Sequence, residues 1–385
     1  MSLRRTGLIL ALAAGLTGPL AAWGQATDPV STARRAAQML DQAGMALQDA
    51  ESASDRVAAL TQTIRAYEEG LVALREGLRR AAIREQAIQL ELDARSEEVA
   101  RLLGVLISMQ RAPETLLLLH PAGPVGTARS GMLLTEITPA LQARAEALRA
   151  TLEEVALLRG LQQDAEQTLR DGLAGVQDAR TDLSQAISDR TDLPRRFAAD
   201  PDRLRHLLQG SDTLESFASG LMEMDQGEQL PPIAGFDAAK GTLPLPVQGV
   251  VLRRMGEADA AGIRRPGLVI ATPPLALVTT PTPATIRYRG PLLDYGNVMI
   301  LEPSGNTLLV LAGLEQVYGD VGQVLPAGAP VGLMGGADPN VAAFLSDATE
   351  GGGTVRSETL YIELRQDSIP VDPAKWFSVR KEESR

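Results

Sequence analysis

The chain has 385 residues and a formal net charge of −11, and only 3% of its residues are aromatic. This acidic balance argues against a nucleic-acid-binding protein, which would carry a basic face to neutralise phosphates. The chain has no cysteine, which excludes disulfides and a lipid-modified N-terminus. An aromatic-poor composition rich in Ala, Leu and Arg favours a long helical rod over one large globular core.

Residues 1–26 have the pattern of a secretory signal peptide. Arg4 and Arg5 precede an apolar stretch over residues 7–16, and small residues follow it. The apolar stretch is shorter than the roughly 20 residues that span a bilayer, so a retained membrane anchor is the less favoured interpretation. We expect cleavage within residues 24–27 and a protein of the Gram-negative periplasm, with no membrane span afterwards.

Residues 27–193 are predicted to form a long antiparallel coiled-coil hairpin. One proline-free helical pattern runs over residues 29–111, and its apolar residues recur every seven positions, with Glu85 and Arg95 as polar interruptions. The pattern stops near the GPVG run at 123–126, and a second heptad seam begins at Leu134. Two seams joined by a short break indicate two antiparallel helices.

The connection between the two seams carries the sequence TLLLLHP at residues 115–121. Its four leucines either cap the hairpin as a small apolar cluster or form an exposed docking patch for a partner. The histidine in it, His120, has no second metal ligand nearby in the sequence and is interpreted as a polar residue at the edge of a loop.

Residues 194–242 are predicted to form a short-helix arm followed by a linker. The pair Asp200-Pro201 is typical of a helix N-cap and first turn, and a second short helix is expected after Asp212. His206 falls on the polar side of the first helix. Residues 223–241, rich in Gly, Pro and acidic groups, indicate an exposed linker. The apolar faces of the two helices consist of Leu204, Leu207, Leu208, Leu214, Phe217, Leu221 and Met222.

Residues 243–380 are predicted to form a mostly antiparallel β domain, which makes the whole chain a multidomain α+β protein. Eight short apolar runs are separated by Gly and Pro, as in a β sandwich or open barrel. The tight hairpin signal Ser304-Gly305-Asn306 joins two of these runs. An early run reads RPGLVI at 265–270, and a late run reads LYIELR at 360–365.

The order of these runs, with a helical hairpin before them, resembles the murein hydrolase activators of the EnvC type, which carry a degenerate LytM (M23 metallopeptidase) domain. Active M23 enzymes bind zinc through a His and an Asp near the early run and through an HLH motif in the late run. Here Arg265 and Val269 stand at the first two positions, and Thr359 and Tyr361 replace the two histidines. No His follows His206, so we expect no zinc site, no other cofactor and no enzymatic activity.

The resemblance implies that the former active-site groove binds a cell-wall amidase. Tyr361 and Arg365 would face that partner, although core packing is an equally good interpretation of Tyr361. Arg365 is expected to be exposed or paired, and the short helices at 200–222 stand where the family has an arm that blocks the groove. The predicted groove residues are Arg264, Arg265, Val269, Tyr288, Tyr295, Leu360, Tyr361, Glu363 and Arg365.

The leading functional hypothesis is therefore a non-enzymatic periplasmic activator of peptidoglycan (N-acetylmuramoyl-L-alanine) amidases in septal cell-wall splitting. The resemblance further implies that the coiled coil binds the division transporter complex FtsEX. One alternative is a periplasmic adaptor of a transport complex, but such adaptors usually have strands on both sides of their hairpin, and no strand pattern precedes residue 112 here. An active peptidoglycan endopeptidase is the least favoured alternative, because the zinc ligands are missing.

Overall fold

The computed structural model describes residues 29–94, 97, 100, 101, 104, 107, 123–191, 193–196, 200–224, 236–337 and 358–378. The predicted signal peptide and the leucine-rich connection at 115–121 lie outside these residues. Within the described part of the chain, no helix combines the length and apolarity needed to cross a bilayer.

The N-terminal region contains two helices where the sequence pattern predicted one. Helix α1 spans Pro29–Gln48 and helix α2 spans Ala53–Ala94, so the prediction of a single helix from residue 29 was wrong. The interruption has a local cause, because Ser52 and Asp55 form a capping box. The Asp55 amide donates to Ser52 Oγ at 3.0 Å, and the Ser52 amide donates to Asp55 Oδ2 at 3.2 Å.

Helix α1 folds back antiparallel along α2 through small side chains. Ala36 and Ala43 of α1 are 3% and 0% exposed, and a Cβ built on Gly70 of α2 would lie 3.6 Å from the Ala36 Cβ. An ion pair between Arg35 and Glu69 at 3.2 Å flanks this contact. The small residues let the two helix backbones approach closely, so α2 is covered by α1 near its N-terminal end.

Helix α3 spans Gly123–Asp189 and runs antiparallel to α2. The GPVG run therefore lies in its first turn, and the prediction that this run belongs to the connection was wrong. Proline is tolerated in the first turn of a helix because its missing N–H would have no intrahelical partner there. The helices α1, α2 and α3 are called the helical unit below.

The buried contact between α2 and α3 uses residues of the two predicted seams. Around it, Arg84 pairs with Glu154 at 2.6 Å, and Arg159 pairs with Glu85 at 2.9 Å. Exposed ion pairs contribute little free energy, so the apolar seam stabilises the contact while these pairs fix its register. Buried seam residues are Val57, Leu60, Ile64, Leu78, Leu169, Val176, Ala179, Leu183 and Ala186.

Two glycines of α3 give a matched test of this contact. A Cβ at Gly160 would meet nothing within 4 Å, whereas a Cβ at Gly175 would lie 2.4 Å from the Tyr67 hydroxyl. We expect Gly160→Ala to raise the free energy of unfolding by about 0.5–1 kcal/mol, because glycine is a poor helix former. Gly175→Ala should lose this gain because Tyr67 must move. Equal shifts of the two variants in urea denaturation would contradict the packing described here.

The C-terminal region forms one connected ten-stranded sheet in which every described strand pairing is antiparallel. The strand order is β1-β2-β9-β6-β5-β4-β7, with β10 beside β9 and with β8 beside both β3 and β6. Each of the eight predicted apolar runs contributes a strand. The strands are β1 Val250–Arg253, β2 Leu268–Thr272, β3 Leu277–Thr279, β4 Ala284–Pro291, β5 Asn297–Ser304, β6 Thr307–Val317, β7 Val324–Leu325, β8 Pro330–Met334, β9 Glu358–Gln366 and β10 Ile369–Val371.

Strand β9 shows how the sheet separates two apolar clusters. Leu360, Ile362 and Leu364 point into the inner core of the domain, which contains Phe236. Tyr361 points to the opposite face, where the short helices lie, because successive side chains of a strand alternate between its two faces. Phe236 is 3% exposed and stacks on Trp376 with ring centroids 4.4 Å apart, so the end of the predicted linker belongs to the β-domain core.

Candidate functional site

An apolar groove lies on the face of the sheet that carries Tyr361. The cross-strand partners of Tyr361 are Val269 on β2 and Ala312 on β6. Two further pairs across β9 and β6 place Glu363 opposite Val310 and Arg365 opposite Leu308. We call this surface the outer groove. Its floor consists of Val269, Tyr288, Val298, Ile300, Leu308, Val310, Ala312 and Tyr361.

The outer groove is covered by the two short helices, α4 (Pro201–Gly210) and α5 (Leu214–Glu223), which together are called the arm. Asp200 caps α4 by accepting hydrogen bonds from the amides of Asp202 and Arg203, as its sequence predicts. Thr213 and Ser216 form a capping box at the start of α5. Both helices therefore begin at fixed positions, which sets the face that each presents to the sheet.

Helix α5 provides the main apolar contact with the groove. Phe217 and Ala218 are 0% exposed, and Leu214 and Leu221 are 3% exposed. The Phe217 ring meets Tyr288 edge-on, with centroids 4.8 Å apart, a favourable arrangement of two aromatic rings. Helix α4 adds partly buried leucines to the same cluster, namely Leu204, Leu207 and Leu208.

Two buried arginines of the sheet hold the ends of α5. Near its N-terminal end, Glu215 pairs with Arg365 Nη2 at 3.3 Å. Near its C-terminal end, Arg287 Nη2 donates to the Leu221 carbonyl at 3.2 Å, and Arg287 Nη1 donates to Glu302 at 3.1 Å. The Leu221 carbonyl lies in the last turn, where helix carbonyls lack intrahelical donors, so Arg287 acts as a C-terminal cap.

Below the arm, Tyr361, Glu363 and Arg365 form a buried polar network. The Tyr361 hydroxyl donates to Glu363 Oε2 at 2.6 Å, and Arg365 Nη1 donates to Glu363 Oε1 at 2.5 Å. Arg365 is 1% exposed and Glu363 is 2% exposed. Burial, followed by the nearby Glu363 carboxylate, raises the pKa of Tyr361 well above its usual value. The hydroxyl therefore stays protonated and serves as a donor.

At one rim of the groove, Arg265 lies 5.5 Å above the ring of Tyr295, within range of a cation–π interaction. The Tyr295 and Tyr361 rings are 5.9 Å apart. Arg264 is exposed and donates from Nη1 to the Gly256 carbonyl at 2.6 Å. Arg265 and Tyr295 therefore connect the rim to the floor of the groove.

The structure brings together most of the predicted groove residues, with one correction. Leu360 is 0% exposed and lies in the inner core on the other face of β9, so it was wrongly assigned to the groove. The strict alternation along a strand excludes neighbouring residues from the same face. His206, predicted to be solvated, is exposed on α4.

Two residues that hold the arm were missing from the predicted site. Arg287 lies in the buried part of the run ATIRYRGP, and a charged residue in a buried stretch of strand was the available signal that it has a specific partner. Glu215 lies in the first turn of α5, where acidic residues are common, and nothing local distinguishes it from a general helix-dipole partner.

At the positions where the resemblance would place zinc ligands, the described residues are Arg265, Val269, Thr359 and Tyr361. Val269 and Tyr361 are cross-strand partners, and Arg265 lies over Tyr295 rather than beside a carboxylate. The nearest carboxylate, Glu363, already accepts two hydrogen bonds. Gly267 makes room for the tyrosine, because a Cβ there would lie 2.6 Å from its ring. Among the described residues, no group of three His, Cys, Asp or Glu side chains is placed to bind a metal ion.

Comparisons with known proteins give partial matches. No protein-family model matches the chain. The chain is 27% identical over 165 residues to an uncharacterized protein of Neisseria meningitidis serogroup B, which covers 41% of this chain and 25% of that protein. It is 30% identical over 147 residues to an uncharacterized protein of Haemophilus influenzae, covering 37% and 31% respectively. The matched segments thus span about a quarter to a third of these curated relatives.

The solved structures to which the chain is similar include M23 peptidases. A putative M23 peptidase from Pseudomonas aeruginosa aligns with a TM-score of 0.31 and 16% identity, covering 47% of this chain and 65% of that one. A zinc-containing peptidase from Vibrio cholerae aligns with a TM-score of 0.28 and 17% identity, covering 34% and 39%. Csd3 from Helicobacter pylori aligns with a TM-score of 0.27 and 16% identity, covering 37% and 36%.

Proposed function

We propose that this protein is a non-enzymatic activator of peptidoglycan amidases that acts in the periplasm and binds the amidase through the outer groove. One observation carries the proposal. An amphipathic helix of the chain itself, α5, occupies the groove with four buried side chains. A surface that accepts one amphipathic helix is suited to accept another in its place.

The residues of the groove predict the properties of a partner helix that would replace α5. It would carry apolar residues against Tyr288 and Tyr361 and a carboxylate against Arg365. The buried Nε of Arg365 has no hydrogen-bond partner among the described residues. The docked arm therefore satisfies this guanidinium incompletely, and a partner carboxylate with better geometry would compete with Glu215.

In this proposal the arm and the amidase compete for one site. The protein is inactive while α5 covers the groove and active when the arm has left, so any interaction that favours the open state activates it. We further propose that the helical unit provides such an interaction by binding the division transporter complex FtsEX. The removal of residues 1–26 as a signal peptide would place the protein in the periplasm beside both partners.

The proposal assigns catalysis to the amidase. Residues 207–385 contain no histidine and no cysteine, and zinc hydrolases hold their metal largely with these side chains. Metal analysis of the purified protein should therefore find no stoichiometric zinc. One zinc ion per chain, lost together with hydrolysis of peptidoglycan on chelation, would instead support an endopeptidase.

The function is tested with the full mature chain and a purified amidase on cell-wall sacculi. Leu221→Glu places a charge in the apolar contact of the arm, so we expect it to raise amidase stimulation at least tenfold relative to the unmodified protein. A carboxylate buried without a partner is strongly unfavourable, which displaces the arm. Leu157→Glu is the matched control, because Leu157 is 64% exposed on α3. This variant should stimulate the amidase as much as the unmodified protein does.

A third variant separates release of the arm from binding of the amidase. Leu221→Glu combined with Arg365→Glu should have a free groove but no cation for the partner carboxylate, and its stimulation should fall back. If Leu221→Glu does not stimulate any amidase, or if the combined variant stimulates as strongly as Leu221→Glu alone, the proposed role of the groove is wrong.

A further inference from the structure

A buried carboxylate joins the helical unit to the β domain outside the outer groove. Glu68 of α2 is 7% exposed. Its Oε1 accepts a hydrogen bond from the Leu277 amide of β3 at 2.9 Å and from Arg180 Nη2 of α3 at 3.4 Å. One side chain thus bridges α2, α3 and the sheet, and we call this cluster the junction.

Several charged and titratable groups surround Glu68. Arg65, one turn earlier on α2, donates to Thr279 Oγ1 of the sheet, and Arg180 is 8% exposed. The hydroxyl of Tyr318, on the β-domain side, lies 3.4 Å from Ser184 Oγ of α3. Burial raises the pKa of Tyr318, so this hydroxyl is neutral near neutral pH.

The positive charges compensate the Glu68 carboxylate only in part. The Arg180 contact is long for a charge-assisted hydrogen bond, and the buried Arg180 Nε has no hydrogen-bond partner among the described residues. Arg65 directs its guanidinium to a neutral hydroxyl. Burial therefore outweighs the Leu277 amide and the two arginines, and it raises the pKa of Glu68 to about 7.

Space beside the carboxylate makes proton exchange with solvent possible. A cavity of about 50 Å³ is lined by Glu68, Arg75 and Arg180 together with Pro273 and Pro274. This volume holds one or a few water molecules next to polar side chains. Glu68 also borders a larger open cleft between the helical unit and the sheet, which has a volume of about 1050 Å³.

We propose that the junction is a proton-controlled joint, in which neutral Glu68 keeps the helical unit seated on the β domain and ionised Glu68 favours its separation. The joint acts together with an apolar contact, in which Leu277, Tyr318 and Leu333 of the β domain pack against Ile64 and Leu183. This apolar contact does not depend on pH. Ionisation of Glu68 therefore shifts the equilibrium between the seated and the separated state and does not unfold the helical unit or the β domain.

The direction of the pH effect follows from proton linkage. A carboxylate that is exposed in the separated state has a pKa near 4.5, whereas the seated state has a value of about 7. The seated state therefore binds the proton more tightly, and its advantage is lost as the pH rises through 7. For one such group the equilibrium constant for separation should rise about tenfold between pH 6 and pH 8.

The absence of native cysteine allows spin labels to be placed at Glu146→Cys on α3 and Asp294→Cys in the β domain, which are both exposed positions. Electron–electron distance measurements on the full mature chain should show a second population whose ratio to the first grows about tenfold from pH 6 to pH 8. Glu68→Gln keeps an acceptor for the Leu277 amide but does not titrate, so its distance distribution should not change with pH. Glu69→Gln, at the neighbouring position, should behave like the parent protein.

The proposal is overturned if the parent distribution does not change between pH 6 and pH 8, or if Glu68→Gln changes as much as the parent. A second measurement does not require any variant to fold. Hydrogen exchange of the parent protein, corrected for the intrinsic pH dependence of exchange, should show an approximately tenfold loss of protection at the Leu277 amide over the same range. Unchanged protection would also overturn the joint, and neither result depends on amidase binding.

Discussion

Replacing Phe217 with alanine is expected to release the arm from the outer groove while the β domain stays folded. Phe217 is fully buried and meets Tyr288 edge-on, and removal of a buried phenylalanine typically costs about 3–5 kcal/mol. This loss falls on a ten-residue helix that has only four buried side chains. Hydrogen exchange should show α5 losing most of its protection, and limited proteolysis should cleave the arm at least a hundredfold faster.

A second buried phenylalanine provides the control for this release. Phe236 is 3% exposed and stacks on Trp376 in the inner core, so Phe236→Ala should lower the free energy of global unfolding by a similar amount. It should leave the protection of α5 unchanged relative to the sheet. If Phe217→Ala and Phe236→Ala change arm proteolysis equally, the arm and the β domain unfold as one unit and the arm cannot act as a separate cover.

Replacing Arg365 with methionine should cause the largest loss of stability among single changes in the groove. Glu363 would remain buried with its charge, because its other partner is the neutral Tyr361 hydroxyl. Breaking a buried ion pair from one side costs about 3–5 kcal/mol. Urea denaturation of the full chain should show this loss at neutral pH.

Two comparisons distinguish this network from ordinary surface charge. Glu363→Gln in the Arg365→Met background removes the unpaired charge but keeps an acceptor for Tyr361, so it should restore most of the lost stability. Arg195→Met removes an arginine that is 59% exposed at its side chain and pairs with Asp320 at 3.0 Å, and it should cost less than about 1 kcal/mol. A loss for Arg365→Met no larger than that for Arg195→Met would contradict the buried network.

The burial of Arg365 also affects how its proposed role in partner binding can be tested. The side chain is 1% exposed while the arm is docked. A change at Arg365 therefore acts on the stability of the groove, on the hold of the arm through Glu215 and on the proposed amidase contact at once. The activation experiment uses Leu221→Glu as the background, which removes the effect on the arm, and the combined variant tests the amidase contact only if urea denaturation shows that its β domain is still folded.

Much of the fold could be predicted from local sequence patterns. The heptad spacing identified buried residues such as Ile64 and Leu183, and short apolar runs located the strands. Asp200-Pro201 identified the start of α4. These features depend on periodicity or on capping within a few residues, which a single sequence displays directly. Local capping at Ser52 also divides the single predicted helix into α1 and α2. The apolar pattern continues across this position, so it did not predict the break.

The candidate site required the tertiary structure, because its contacts join residues that are far apart in the sequence. Arg365 meets Glu215 across 150 positions, and Glu68 meets the Leu277 amide across 209. The sequence by itself determined that the arm has an apolar face. Only strand pairing and helix docking decided that this face covers Tyr361. The local sequence of a helix or a strand does not specify the surface against which it packs.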